Sequence, residues 1–163
     1  VATISNSVKD GNLPDINVLV ESNPIVIVVE DDPEVLEMLK LQLKLCAPTL
    51  ISFCDPSLAL QFIRDNFTKH DELNNLSIII ISDLNMRPIN GFDLLQYART
   101  ILPNIPFYLM SCNATKQDIQ KAINLKVTAF IDKTDIVIKI RKVIEDLKTH
   151  TLKKVLPVVG VTV

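Results

Sequence analysis

The sequence has no tryptophan, only three cysteines and only two histidines in 163 residues. Cys46, Cys54 and Cys112 are odd in number and lack CxxC spacing, which fits a reduced, cytosolic setting better than a disulfide or zinc framework. His70 and His150 sit in polar surroundings, belong to no motif and read as exposed loop residues. No apolar run approaches the roughly 18 residues of a membrane span. No basic segment followed by an apolar one opens the chain, so no signal peptide is expected. The first residue is Val1 and not methionine, which suggests a fragment or a processed product. A strong excess of one charge is also missing. The formal net charge of -2 argues against direct nucleic-acid binding. Internal repeats and low-complexity tracts are absent.

What is present is a set of short apolar runs that end in polar residues. The most pronounced is Ile78-Ile79-Ile80-Ile81, followed by Ser82-Asp83. An unbroken β-branched run suits a strand buried on both faces. Ile25 to Val29 is a second such run and ends in Glu30-Asp31-Asp32. Leu50 to Phe53 is a short third. Pro106 to Met110 ends at Ser111, and Val127 to Ile131 ends at Asp132-Lys133.

Helical stripes separate these runs. Val35, Leu39, Gln42, Leu43 and Cys46 form the first, with Asp32 as cap and Pro33 at the first turn. Leu58, Phe62, Ile63 and Phe67 form the second, and Phe92, Leu95, Ala98 and Leu102 the third, after a turn at Asn90-Gly91. Thr115 and Asp118 resemble a capping box for a helix through Asn124. Ile136, Ile140, Val143, Ile144 and Leu147 form the last. Residues 1–23 read as an extension with one apolar run, Ile16 to Val20. Residues 24–148 read as one domain, and 149–163 as a tail or linker carrying Lys153-Lys154. With 48% hydrophobic residues the domain can bury a core without disulfides or metal.

Strand and helix alternate five times, which implies an α/β fold with parallel pairing and right-handed crossovers. A parallel sheet places all its carboxyl ends on one edge, where ligands bind. The acids after the first strand, Asp83 after the third, Ser111 after the fourth and Lys133 after the fifth therefore converge. Clustered carboxylates repel unless a proton or a cation intervenes. All-oxygen ligands favour a hard ion such as Mg2+. A carboxylate beside such an ion can attack a phosphoryl group, with an ammonium and a hydroxyl to meet the phosphoryl oxygens. Taken singly these residues have plainer readings. An acid run is most often a helix cap, and Asp83 alone could simply end a strand. Their joint order along successive strands is what carries the signal.

Across residues 24–148 the chain resembles the response-regulator receiver domains of two-component phosphorelays. The motifs are VVEDD (Glu30, Asp31), SDLNM (Asp83), Gly91, LMS (Ser111) and FIDK (Lys133). The resemblance implies a doubly wound (βα)5 fold with flavodoxin-like strand order 2-1-3-4-5. It implies Asp83 as phosphoacceptor and Mg2+ held by Asp31, Asp83 and the main-chain carbonyl of Asn85, with Glu30 acting largely through water. Ser111 and Lys133 would contact the phosphoryl group. Phe130 takes the aromatic switch position, and its reading as core packing stays open beside that one. Asn85 and Asn113 would flank the route of attacking water, and Arg87 and Cys112 are further candidate modulators.

The implied partners are a sensor histidine kinase or phosphotransfer protein and a second copy bound through the fourth helix, fifth strand and last helix. An output domain beyond Val163 or on another chain is implied too, in a cytoplasmic, bacterial setting. The chain departs from the family pattern at several places. Arg87 stands where proline is usual, with Pro88 one residue later. Thr134 follows Lys133 where the family has a cis-proline, which leaves the aim of Lys133 open. Lys126-Val127 replaces a Gly-Ala pair. Cys112 replaces a small residue and is expected to be a small buried hydrophobe. Cys46 and Cys54 should lie at opposite ends of the sheet, too far apart for a disulfide. Two other functions remain open: a pseudo-receiver that binds partners without being phosphorylated, and an aspartyl-phosphate phosphatase. Asn85 counts against the phosphatase, which would want an acid there.

Overall fold

Strands and helices alternate as the sequence predicts, with one strand more than expected. The computed structural model describes residues 4–7, 24–47, 49–67 and 77–155, with side chains described from residue 24 to residue 147. In chain order the elements are β1 (Ile4–Ser7), β2 (Ile25–Val29), α1 (Pro33–Leu43), β3 (Thr49–Phe53), α2 (Pro56–Phe67), β4 (Ile78–Asp83), α3 (Gly91–Ile101), β5 (Phe107–Ser111), α4 (Lys116–Asn124), β6 (Ala129–Asp132) and α5 (Ile136–Val155). The sheet order is β1-β3-β2-β4-β5-β6. Every pairing is parallel. The five expected strands are β2 to β6, and they take the expected order 2-1-3-4-5. The sixth, β1, lies within the segment read as an extension and pairs with the outer edge of β3. Its four residues (ISNS) are too short and too polar for apolar alternation to reveal a strand. The Ile16–Val20 run, the polar 69–75 loop, His70 and residues 156–163 lie outside the described residues.

The apolar runs become buried strands because successive side chains point to opposite faces and both faces are covered. Ile25, Ile27 and Val29 of β2 join Ile78 and Ile80 of β4, and Phe107 and Leu109 of β5, on one face. That face is packed by α2 and α3, with Ala122 of α4. Val26, Val28, Ile79, Ile81 and Met110 point the other way, against Leu36, Leu39 and Leu43 of α1 and Ile136, Ile140 and Ile144 of α5. Phe62 anchors the first layer, with ring centroids 5.4 Å from Phe53 and 5.7 Å from Phe67.

Several local expectations change in detail. In α1 the inward stripe is Leu36, Leu39 and Leu43 with Lys40, while Gln42 is exposed. Lys40 is covered along its stem, and its ammonium reaches Glu37 at 2.7 Å. Asn90-Gly91 is the start of α3 and not a separate turn. Asn90 caps the helix by accepting from the Phe92 and Asp93 amides, and Asp93 accepts from the Asn90 amide. The Thr115–Asp118 capping box and the Asp32 cap form as expected. The last helix runs to Val155, so His150 lies on a helix and not in a loop, and Lys153-Lys154 are helical too.

The α4–β6 connection shows what replaces the usual glycine. Val127 N donates to Ala122 O at 3.0 Å and Lys126 N to Ile123 O at 2.9 Å. These are the two bonds of a Schellman helix end, which calls for a left-handed residue between them. Lys126 takes that position with φ 54°. Arg99 of α3 holds the turn from outside, donating to Leu125 O at 2.7 Å and to Lys126 O. A side chain at such φ is strained and glycine is not, so Lys126→Gly should raise stability by about 0.5–1 kcal/mol. The urea midpoint checks this; an unchanged or lower midpoint would count against the strained turn.

Candidate functional site

Sheet register builds the site before any side chain is considered. Val29 pairs with Ser82, so the next residues, Glu30 and Asp83, stand side by side at the carboxyl edge. Asp83 pairs with Met110, and Ser111 pairs with Asp132. Lys133 follows one residue later. The edge of a parallel sheet thus collects residues separated by a hundred positions in sequence.

Three carboxylates meet there. Oxygens of Glu30, Asp31 and Asp83 all lie within 4.8 Å of one another. Glu30 is only 1% exposed and Asp83 only 5%, while Asp31 is half-buried. Lys133, its side chain 16% exposed, places its ammonium 2.7 Å from Glu30 Oε2 and 3.1 Å from Asp83 Oδ1. One cation therefore bridges two of the three acids. Burial pushes the Glu30 carboxyl above its ordinary range. The Lys133 hydrogen bond draws it back in part, and the Asp83 charge adds to the rise. Burial alone would lower the Lys133 ammonium. The hydrogen bond and charge of Glu30, then those of Asp83, outweigh this and hold it above the usual lysine value.

The aim of Lys133, left open by the missing proline, has a local cause. The Lys133–Thr134 bond is not cis; among the described residues the cis bond is Arg87–Pro88. Asp132 instead accepts from the Thr134 amide at 2.9 Å and the Thr134 hydroxyl at 2.8 Å. This side-chain turn winds Lys133–Asp135 into a single 3-10 turn. The hydrogen bonds from Thr134 also keep the exposed Asp132 carboxyl below its ordinary range.

The neighbouring groups are placed as follows. Glu30 Oε1 accepts from the Asp32 amide at 3.3 Å, and Asp31 Oδ2 accepts from the Arg87 amide at 3.3 Å. Ser111 is 3% exposed, and its Oγ accepts from the Asn113 amide at 3.2 Å, which leaves its proton to donate. Phe130 is half-buried and packs against the α2–α3 layer. Asn85, Arg87 and Asn113 are exposed on the two loops that rim the acids. Cys112 is exposed and not the small buried hydrophobe expected: it is the first residue past β5, where sheet and helices no longer cover the chain. Cys54 was not among the expected site residues, yet its thiol donates to the Asp31 carbonyl at 3.4 Å. Its position directly after β3 was the available signal, since that strand ends on the same edge.

Gly91 closes the floor of the site. A Cβ there would lie 2.4 Å from the Asp83 carbonyl oxygen and 2.7 Å from Leu109 Cδ2. The missing side chain lets the first turn of α3 sit directly against the end of β4. The residues fit a hard divalent cation: three carboxylates converge, Asp31 partly open to solvent, with no thiolate or imidazole among them. Asp31 and Asp83 would hold it, with Glu30 beside them. Such an ion would supply positive charge against phosphoryl oxygens.

Comparison with known proteins bears on this geometry. A family profile described as "Response regulator receiver domain" matches residues 26–145. The "Two-component response regulator ORR26" of Oryza sativa subsp. japonica is 30% identical over 98 residues, 60% of this chain and 16% of that protein. The "Two-component response regulator ARR11" of Arabidopsis thaliana is 31% identical over 98 residues, 60% of this chain and 17% of its own length. This chain thus spans about a sixth of the curated relatives it matches. Both are plant proteins, so the bacterial setting expected from the resemblance gains no support. Among solved structures, the Mg2+-complexed receiver domain of the histidine kinase CKI1 from Arabidopsis thaliana superposes with TM-score 0.64 at 18% identity, over 74% of this chain and 91% of that one. The Vibrio cholerae chemotaxis protein CheY4 superposes with TM-score 0.63 at 17% identity, over 77% and 99%. At these identities the likeness establishes the fold. No helix among the described residues is long and apolar enough to cross a membrane.

Proposed function

The chain belongs to the response regulator receiver domain family, and from that premise we propose that it is a phosphorylation-controlled switch that accepts a phosphoryl group on Asp83. The observation that carries the reading is the buried Asp83 carboxylate, clustered with Glu30 and Asp31 and ion-paired to Lys133. A carboxylate oxygen of Asp83 attacks phosphorus, and the donor's bond to phosphorus breaks. A phosphohistidine of a sensor kinase or phosphotransfer protein is the donor the family implies. Mg2+, which the CKI1 receiver domain carries in its structure, is the cofactor proposed here.

This chain's own residues then have separate tasks. Lys133 neutralises charge on the phosphoryl oxygens. Ser111 donates its free proton to one of them. Asn85 and Asn113, exposed on the rim, border the path of water for hydrolysis. Phe130 is placed to change its packing when Ser111 moves. The face beside it, α4, β6 and α5, exposes Ile119, Ile123 and Ile138. Such apolar side chains suit a second copy or an output domain. The free energy for the change is only the difference in phosphoryl affinity between two states.

The pseudo-receiver alternative keeps Arg87 as a motive but loses the other, the Lys133–Thr134 junction, because Lys133 reaches both Glu30 and Asp83 without the proline. The phosphatase alternative still lacks an acid at Asn85. Incubation with Mg2+ and acetyl phosphate should add one phosphoryl group per chain, read by intact mass, and none to Asp83→Asn. Sizing before and after reports partner-face changes. Label surviving in Asp83→Asn would sink the assignment.

A further inference from the structure

We infer that Arg87 is a second anion-binding residue of the phosphorylation site, a positioning group that draws phosphoryl donors to Asp83 and offsets the charge that phosphorylation adds. The inference rests on the reading of Asp83 as phosphoacceptor and deepens it. Three observations carry it.

The first is position. The Arg87 amide donates to Asp31 Oδ2 at 3.3 Å, so the residue is fastened by its own backbone to the rim of the acid cluster. The second is availability. The Arg87 side chain is exposed, and among the described residues no acid forms an ion pair with it. The cation inside the site, Lys133, is already shared between Glu30 and Asp83.

The third is charge. Three carboxylates against one ammonium leave the cluster with an excess of about two negative charges. A divalent cation cancels that excess. An acyl phosphate replaces one carboxylate charge with about −1.5 to −2. The phosphorylated site is therefore negative again by up to about one charge, and a further cation is wanted. Arginine is suited to this because its planar fork meets phosphoryl oxygens in pairs. A guanidinium at the rim also attracts anionic donors before they enter.

In the step itself, a carboxylate oxygen of Asp83 bonds to the phosphorus of acetyl phosphate, and acetate leaves with the electron pair of the broken P–O bond. Arg87 takes no proton and forms no bond in it. It holds the phosphoryl oxygens.

Opposite effects on cation and anion test the inference. The full chain, with Arg87→Gln and Arg87→Lys, is titrated with Mg2+ alone and then phosphorylated with acetyl phosphate at low and high salt. The backbone amide that holds Asp31 survives both substitutions. Arg87→Gln should bind Mg2+ as tightly or more tightly, because a positive charge has gone, while phosphorylation slows about tenfold. That deficit should shrink at high salt, and Arg87→Lys should recover part of the rate. A structural lesion would weaken both ligands together, and that result overturns the inference. So does an Arg87→Gln rate within twofold of wild type when wild type is readily labelled, which leaves the Asp83 reading intact. Failure of wild type to take up any phosphoryl group overturns both.

Discussion

Lys133→Met is expected to destabilise the metal-free protein by about 3 kcal/mol, and Mg2+ is expected to return a large part of that loss. Lys133 is the cation that two buried carboxylates share, at 2.7 Å and 3.1 Å. Removing one partner of a buried pair leaves charge uncompensated and typically costs 3–5 kcal/mol. The lower end applies because the lysine side chain keeps some contact with solvent. Methionine preserves most of the volume, so the change is mainly electrostatic.

The pH dependence has a definite sign. The Lys133 folded pKa lies above the ordinary 10.5. Its contribution is therefore complete below that value and is lost as pH rises through the higher folded one. Wild type and variant should converge at strongly alkaline pH. Glu30 already lies above its ordinary 4.5 because it is buried. Without Lys133 it should rise further, so part of the deficit should also be recovered as pH falls and Glu30 takes up a proton. Urea melts with and without Mg2+, across pH, measure all of this. A loss under 1 kcal/mol that ignores both pH and metal would show that Lys133 does not hold the acids.

Gly91→Ala should cost about 1–2 kcal/mol and weaken Mg2+ binding in the same variant. The added Cβ would meet the Asp83 carbonyl oxygen at 2.4 Å, Leu109 Cδ2 at 2.7 Å and the Leu84 Cα at 3.1 Å. Leu109 can turn away at modest cost. The Asp83 carbonyl and the Leu84 Cα are backbone at the end of a central strand, and Leu84 N is bonded to Met110 O. The helix must therefore retreat, and the Gly91 N bond to Leu84 O, now 3.0 Å, lengthens with it. Overpacking of this kind typically costs 1–3 kcal/mol, against which alanine's better helix propensity returns less than 1. Because the clash falls on the residue that carries the carboxylate, stability and metal affinity should drop together. Denaturation and Mg2+ titration of the variant decide this. Stability equal to wild type would mean that the helix does not pack so closely.

The central sheet and the acid cluster were legible because each follows from a short-range pattern combined with one topological rule. Runs such as Ile25–Val29 and Ile78–Ile81 suit doubly buried strands, and parallel strands bring their ends to one edge. Glu30, Asp83, Ser111 and Lys133 all came from that rule. Other features depend on contacts between distant segments that no local pattern encodes. Cys112 had the composition of a buried residue but sits one position past the covered strand. Strand β1 is found through its pairing with β3 and has no apolar signature. Lys126 adopts a conformation its residue type disfavours because the helix end and Arg99 require it. Thr134 stands where the resemblance implied a proline, yet the turn it makes with Asp132 directs Lys133 all the same.

The division of the core into two layers has a consequence for how such a molecule could be instrumented. By strand alternation Asp83 continues the series of Ile79 and Ile81, which face α1 and α5. Phe130 faces the opposite layer, with α2 and α3. The sheet is therefore a partition, with the acid cluster in register with one room and the aromatic in the other. A fluorophore on the α1–α5 side would sense occupancy of the acids, and one on the α3–α4 side would sense repacking around Phe130. Two colours on one chain could then report the two layers separately.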